Sequence, residues 1–161
     1  MKRTSTFEPS SLDASGKRIA IIASRFNEEV VSGLLKGAQD TLSRSGVSRV
    51  DMPVYWAPGA FELPIIAQRL ARSGNVDAVV CLGAVIKGDT AHFEYISAGV
   101  ASGLNHVSLD TGVPCAFGVL TCYTLEQAVA RSSDDEHNKG VEAARAAVET
   151  LCVLDQIASE A

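Results

Sequence analysis

The chain has 161 residues, 47% hydrophobic and 20% charged, which is enough apolar material for one buried core and too much for a disordered chain. A net charge of −5 and a pI near 5.1 argue against a broad basic surface for nucleic acid, but leave room for a single-phosphate pocket built on one Arg. The longest apolar stretches reach about ten residues, half of a membrane span. Lys2 and Arg3 are followed by Ser, Thr and Asp rather than an apolar run, so no signal peptide is read and the cytoplasm is the expected location.

Residues 1–16 read as an extended or poorly ordered arm, and residues 17–161 as one domain. The run at 17–23 (KRIAIIA) suits a strand covered on both faces. Apolar residues at helical spacing follow over 28–45, with Asn27 as the expected N-cap and Gly46 as the stop. A second strand is expected over 50–56, then a loop (APGAFELP) and a helix to residue 72 with Pro64 in its first turn. A third buried strand covers 76–86, a turn 87–90, and a helix 91–109 with Thr90 as N-cap. The fourth strand covers 114–120. Thr121 or Thr124 then opens a short helix that ends near Arg131. A polar loop spans 132–137, and a long helix runs over 138–157. Buried strands alternating with amphipathic helices predict a parallel sheet covered on both faces. The expected fold is a three-layer α/β/α sandwich with a four-stranded parallel sheet, flavodoxin-like.

Cys81, Cys115, Cys122 and Cys152 show no CxxC spacing, and three of them sit among apolar residues. They read as buried, reduced thiols rather than disulfides or metal ligands. No P-loop, GxGxxG, zinc-ligand set or GxSxG elbow is present, and neither a metal nor a redox cofactor is expected.

Ligands of open parallel sheets bind beyond the carboxyl ends of the strands. Phe26 there either stacks on a planar heterocycle or folds back on the core. Glu62, in the first turn after PGAF, either accepts hydrogen bonds from hydroxyls or only complements the helix dipole. Gly88, Asp89 and Thr90 precede a helix and can offer N–H groups to a phosphate. His92 is either a proton carrier at the crevice mouth or a surface residue near a cap. Arg131 either clamps a phosphate or sits in solvent at a helix end. His106 and His137 have weaker cases.

Together, these loops resemble the lumazine synthase family. The matching segments are Arg25-Phe26-Asn27, the run from Pro58 to Pro64, the run from Gly83 to Glu94, Phe117 to Thr121, and Glu126 through Arg131 to Gly140. They stand in the family's order and spacing over about residues 15–155. Five such segments in one chain are specific, where any one alone is weak.

The resemblance implies condensation of 5-amino-6-(D-ribitylamino)uracil with 3,4-dihydroxy-2-butanone 4-phosphate, the penultimate step of riboflavin biosynthesis. It implies that Phe26 stacks on the pyrimidine, and that Ala60, Phe61 and Glu62 bind the ribitylaminouracil. Ala84, Val85 and Ile86 would line the ring site. Gly88, Asp89 and Thr90 would surround the phosphate, Arg131 would pair with it, and His92 would carry protons. It implies that Phe117 reaches into a neighbouring subunit's site, within pentamers that in some members build 60-subunit shells, with riboflavin synthase as a candidate partner. No membrane or nucleic-acid partner is implied. One departure stands out: where many members carry Gly-Thr-Lys-Ala-Gly before Asn-Lys-Gly, this chain has Ser132 to His137, with acids in place of a basic residue. Glu142 is expected to orient Arg131.

Other readings of the same fold fit less well. An electron carrier would need a Ser/Thr-rich phosphate loop after the first strand, and a receiver domain an acidic pair there. A catalytically idle homologue is opposed by the joint presence of Phe26, His92 and Arg131.

Overall fold

The computed structural model describes residues 12–161. Four strands, β1 (Ile19–Ser24), β2 (Val54–Ala57), β3 (Ala78–Ile86) and β4 (Cys115–Cys122), form one parallel sheet in the order β2-β1-β3-β4. Five helices accompany them: α1 (Glu28–Arg44), α2 (Leu63–Arg72), α3 (His92–Thr111), α4 (Leu125–Ala130) and α5 (Lys139–Glu160). All six residues of β1 are buried, as a central strand with both faces covered requires.

Alternate side chains feed two cores. Ile21, Val80, Leu82 and Leu120 meet Leu34, Ala144 and Val148 of α1 and α5. Ile22, Val79, Cys81 and Val119 meet Leu63, Val100 and Leu104 of α2 and α3. The order makes the chain wind outward in opposite directions from β1 and β3. The crevice between those two strands is therefore the topological switch point, where a ligand site is expected.

Several element ends differ from the sequence reading. The second strand starts at Val54, not at 50, because Arg49–Asp51 forms a 3₁₀ turn. The Asp51 N–H donates to the Ser48 carbonyl at 3.0 Å, the Ser48 hydroxyl to the Asp51 carboxylate at 2.6 Å, and Arg18 to the Val50 carbonyl at 2.9 Å, so backbone groups of this stretch are engaged outside the sheet. β3 starts two residues later than expected, at Ala78. β4 continues through Thr121 to Cys122, so Thr124 opens α4, its hydroxyl accepting from the Gln127 N–H at 3.2 Å.

Asn27 occupies the N-cap position of α1 without capping it: it is left-handed (φ 60°) and its side chain points elsewhere. Ala91, not Thr90, is the N-cap residue of α3. That helix runs on to Thr111 and ends where Gly112 turns left-handed, and α5 runs on to Glu160. A short 3₁₀ turn, Ala60–Glu62, leads into α2, with Pro64 in the helix's first turn as expected.

Residues 1–11 of the expected arm lie outside the described residues. Of the remainder, Leu12 and Ala14 are buried, and the Ala14 N–H donates to the Ser45 carbonyl at 2.7 Å. No helix among the described residues is long and apolar enough to cross a membrane.

α1 and α5 approach backbone to backbone. A Cβ on Gly140 would run into the Leu34 carbonyl, and one on Gly33 into the Ser132 carbonyl. Gly140→Ala must push the helices apart, and a loss of about 1–3 kcal/mol in urea unfolding is expected. The midpoint should fall while the denaturant slope stays unchanged.

Candidate active site

The first groove opens at the carboxyl ends of β1 and β3. Beyond Ser24, the Arg25 N–H donates to the Ala57 carbonyl at 2.8 Å, and its guanidinium lies 5.8 Å from the Trp56 ring centre. On the other side of Phe26, the Asn27 side-chain amide donates to the Ala84 carbonyl at 3.0 Å. Phe26 is thus pinned from both flanks while its ring stays 72% exposed. A large aromatic held out in water on fixed backbone is not a core residue, and its face is open to a planar partner.

Across the groove, the 3₁₀ turn Ala60–Glu62 and the helix behind it present their first N–H groups. The Glu62 carboxylate lies over Gly59, where a Cβ would stand 3.3 Å from its oxygen. The floor comes from β3 through Ala84, Val85 and Ile86. Gly88, Thr90 and His92 close the end, joined by Phe93 and Ile96 from the first turns of α3. The cavity measures about 460 Å³.

A cluster behind this end fixes the 87–92 turn. The Lys87 N–H donates to the Cys122 carbonyl at 2.9 Å. Its ammonium stands 3.5 Å from Glu94 and 5.6 Å from the centre of the Tyr123 ring, which in turn stands 5.9 Å from the Phe93 ring. The Thr90 hydroxyl accepts from the His92 N–H at 3.4 Å.

Of the residues singled out in the sequence, Phe26, Ala60, Phe61, Glu62, Ala84, Val85, Ile86, Gly88, Thr90 and His92 therefore meet in one groove. Asp89 is exposed on the same turn without lining it.

Phe117 and Arg131 lie elsewhere. They line a second groove of about 580 Å³ between β4, the end of α4 and the start of α5, with Cys122, Glu136, His137, Lys139 and Glu142. Arg131 donates to the Gln127 carbonyl at 3.0 Å. Glu142 does not orient Arg131 as expected: its carboxylate pairs with Lys139 at 3.2 Å, three residues back on the same helix face.

Sequence reasoning missed Lys139 and His137 as lining residues, having read Asn138-Lys139-Gly140 as a helix start and 132–137 as a polar loop. Ile96 had a usable signal, since it follows His92 by four residues, on the same helical face, and Phe93 stands three residues before Ile96.

None of the four cysteines is paired. Burial pushes the Cys81 thiol well up, and raises those of Cys115 and Cys122, so these thiols are not poised as nucleophiles. Among the described residues, no group of three or more His, Cys, Asp or Glu side chains could hold a metal ion.

The comparisons with known proteins bear on the whole chain. The sequence profile of the 6,7-dimethyl-8-ribityllumazine synthase family matches residues 16–155. A 6,7-dimethyl-8-ribityllumazine synthase of Syntrophus aciditrophicus is 53% identical over 146 residues, 91% of this chain and 95% of its own. One from Nitratidesulfovibrio vulgaris is 50% identical over 145 residues, 90% of this chain and 93% of its own. The 6,7-dimethyl-8-ribityllumazine synthase 1 of Caulobacter vibrioides is 56% identical over 144 residues, 89% of this chain and 94% of its own. With its parallel sheet and a groove at the switch point, the chain belongs to the 6,7-dimethyl-8-ribityllumazine synthase family.

Proposed function

We propose that the two grooves are halves of one active site, completed between neighbouring copies of the chain. The reaction is the family's: 5-amino-6-(D-ribitylamino)uracil condenses with 3,4-dihydroxy-2-butanone 4-phosphate to give 6,7-dimethyl-8-ribityllumazine, phosphate and water. The observation that carries the division is the placement of Phe117 and Arg131 in a groove apart from Phe26, Glu62 and His92.

In this reading Phe26 stacks on the pyrimidine, and Ala84, Val85 and Ile86 form the edge along which the ring lies. Glu62 accepts hydrogen bonds from ribityl hydroxyls, beside Ala60 and Phe61. Gly88, Asp89 and Thr90 approach the phosphate from one copy, and Arg131 pairs with it from the next. Phe117 of that next copy closes over the ring site.

The chemistry needs little else. The 5-amino group attacks the ketone carbonyl, and water leaves as the imine forms. Phosphate is then eliminated, and the second amine closes the ring with loss of another water. Each step moves a proton near neutral pH, a task suited to the exposed imidazole of His92 at the groove's end. Arg131 offers a fixed charge where the phosphate departs. Holding two small reactants together supplies much of the rate.

A site built from two different edges of the chain calls for a heterologous contact, which forms a ring where its rotation closes. In this reading the ring has five subunits, and the larger assembly is a 60-subunit shell able to enclose riboflavin synthase. The four unpaired thiols, two of them buried, fit a reducing compartment, and we assign the protein to the cytoplasm.

Turnover is followed by lumazine fluorescence and released phosphate together, against a blank for the spontaneous reaction. Stoichiometric appearance of both above the blank is expected. Phe26→Ala should raise KM for the pyrimidine about tenfold and leave KM for the phosphate substrate unchanged. Arg131→Ala and His92→Ala should each lose about 10- to 100-fold in kcat/KM. Co-assembling those two inactive variants in equal amounts should restore about a quarter of the sites, because each intact site draws one half from each copy. Activity no higher than the sum of the two variants would place both halves on one chain.

A further inference from the structure

The second groove carries balanced fixed charges. Arg131 and Lys139 are its cations, Glu136 and Glu142 its carboxylates, and all four line the same cavity. Lys139 is engaged by Glu142 at 3.2 Å. Cys122, also on the lining, is kept in the neutral thiol form by burial, against a smaller opposing pull from Arg131. The remaining ionisable group on the lining is His137, whose Nε2 stands 3.7 Å from Glu136. Asp135 lies on the same loop, its carboxylate accepting from the His137 N–H at 2.8 Å, while Asp134 turns away to Lys36 at 3.3 Å. Two cations and two carboxylates cancel, so the sign of the groove rests on the imidazole.

Its position is fixed although its ring is exposed. The neighbouring Asn138 is buried, and its amide holds the carbonyls of Ser132 and Ser133 at 3.2 and 2.9 Å. On the far side, the Lys139 N–H donates to the Arg131 carbonyl at 2.8 Å. His137 thus stands between two anchored residues, on the loop that returns beside Arg131.

We propose that His137 is a phosphate-binding residue, whose imidazolium gives this groove the net positive charge that holds a phosphate ester and the phosphate it releases. The proposal rests on the assignment of the groove as the phosphate half of the site. The loop carries acids in place of a basic residue, and histidine is the residue type that can supply a cation there, one whose charge as a class depends on pH in the physiological range. The phosphate's own ionisation works in the opposite direction. A phosphate gains charge as pH rises, which alone would tighten its binding to the fixed cations Arg131 and Lys139. Weaker binding at higher pH is therefore the signature of the protein's group.

The test is isothermal titration of the intact assembly with inorganic phosphate at pH 6 and pH 8 and constant ionic strength, alongside both KM values. Wild type should bind phosphate about three- to tenfold more weakly at pH 8 than at pH 6. His137→Gln should be weak at both, and His137→Lys tight at both. KM for the butanone phosphate should follow the same pattern, while KM for the pyrimidine stays unchanged in all three proteins. A merely structural role would instead move the melting temperature and both KM values together. The proposal is overturned if His137→Gln binds phosphate like wild type at pH 6 while turnover is intact. If wild type turns over but Arg131→Ala binds phosphate just as well, the groove is not the phosphate half and both readings fall.

Discussion

One buried side-chain amide holds the second half of the site together. Asn138 donates to the carbonyls of Gly33, Ser132 and Ser133 at 3.1, 3.2 and 2.9 Å, and accepts from the N–H groups of Gly140 and Val141 at 2.8 and 3.2 Å. It caps α5, stitches that helix to α1 and folds the 132–138 loop back on itself. An amide with donors and an acceptor at opposite ends is required, since an aspartate would offer no N–H and a threonine too little reach. The close approach that Gly33, Gly37 and Gly140 permit brings those partners within range, and the bonds in turn make the approach worthwhile. Arg131, His137 and Lys139 take their positions from this arrangement.

The first half depends on a different device, the left-handed backbone of Asn27. Non-glycine residues tolerate that conformation poorly, and asparagine is among the few that do. Here the same residue uses its side chain to reach the Ala84 carbonyl on the neighbouring strand. One residue thereby turns the chain out of β1, starts α1 through its carbonyl to the Val31 N–H at 3.0 Å, and ties the platform of Phe26 to the floor of the groove. The exposure of Phe26 is a built feature of the switch point, and its rigidity lowers the cost of ordering a ligand against it.

The layers and the first groove were legible in the sequence for a simple reason. Strands buried on both faces leave continuous apolar runs, such as Ile19 to Ala23, and the rule for parallel sheets then directs attention to the segments that follow them. What failed was anything decided by competition between side chains and backbone. Val50 reads as strand, yet Arg18, Ser48 and Asp51 capture its surroundings into a 3₁₀ turn. Asn27 and Thr90 read as caps, yet one side chain crosses to another strand and the other stands one residue too early. The partner of Glu142 was missed because helix position three residues away wins over proximity in a loop. Spacing also carries no information about which sheet edge a residue faces, so the separation of Arg131 from His92 was invisible until the fold was known.

On the proposed division of the site, that separation links catalysis to assembly. Phe26, Glu62 and His92 stand on one side of the chain with no fixed cation lining their groove, while Arg131 and Lys139 stand on another with no aromatic platform as exposed as Phe26. In the proposed division a pyrimidine engages one groove and a phosphate the other, and the bond between the two reactants forms where two copies meet. Binding and association then share one free energy: a ligand that touches both halves favours the assembled state over the separated chains by its difference in affinity for the two. Each chain folds around its own two cores, and on the proposed division it gains activity on meeting its neighbour.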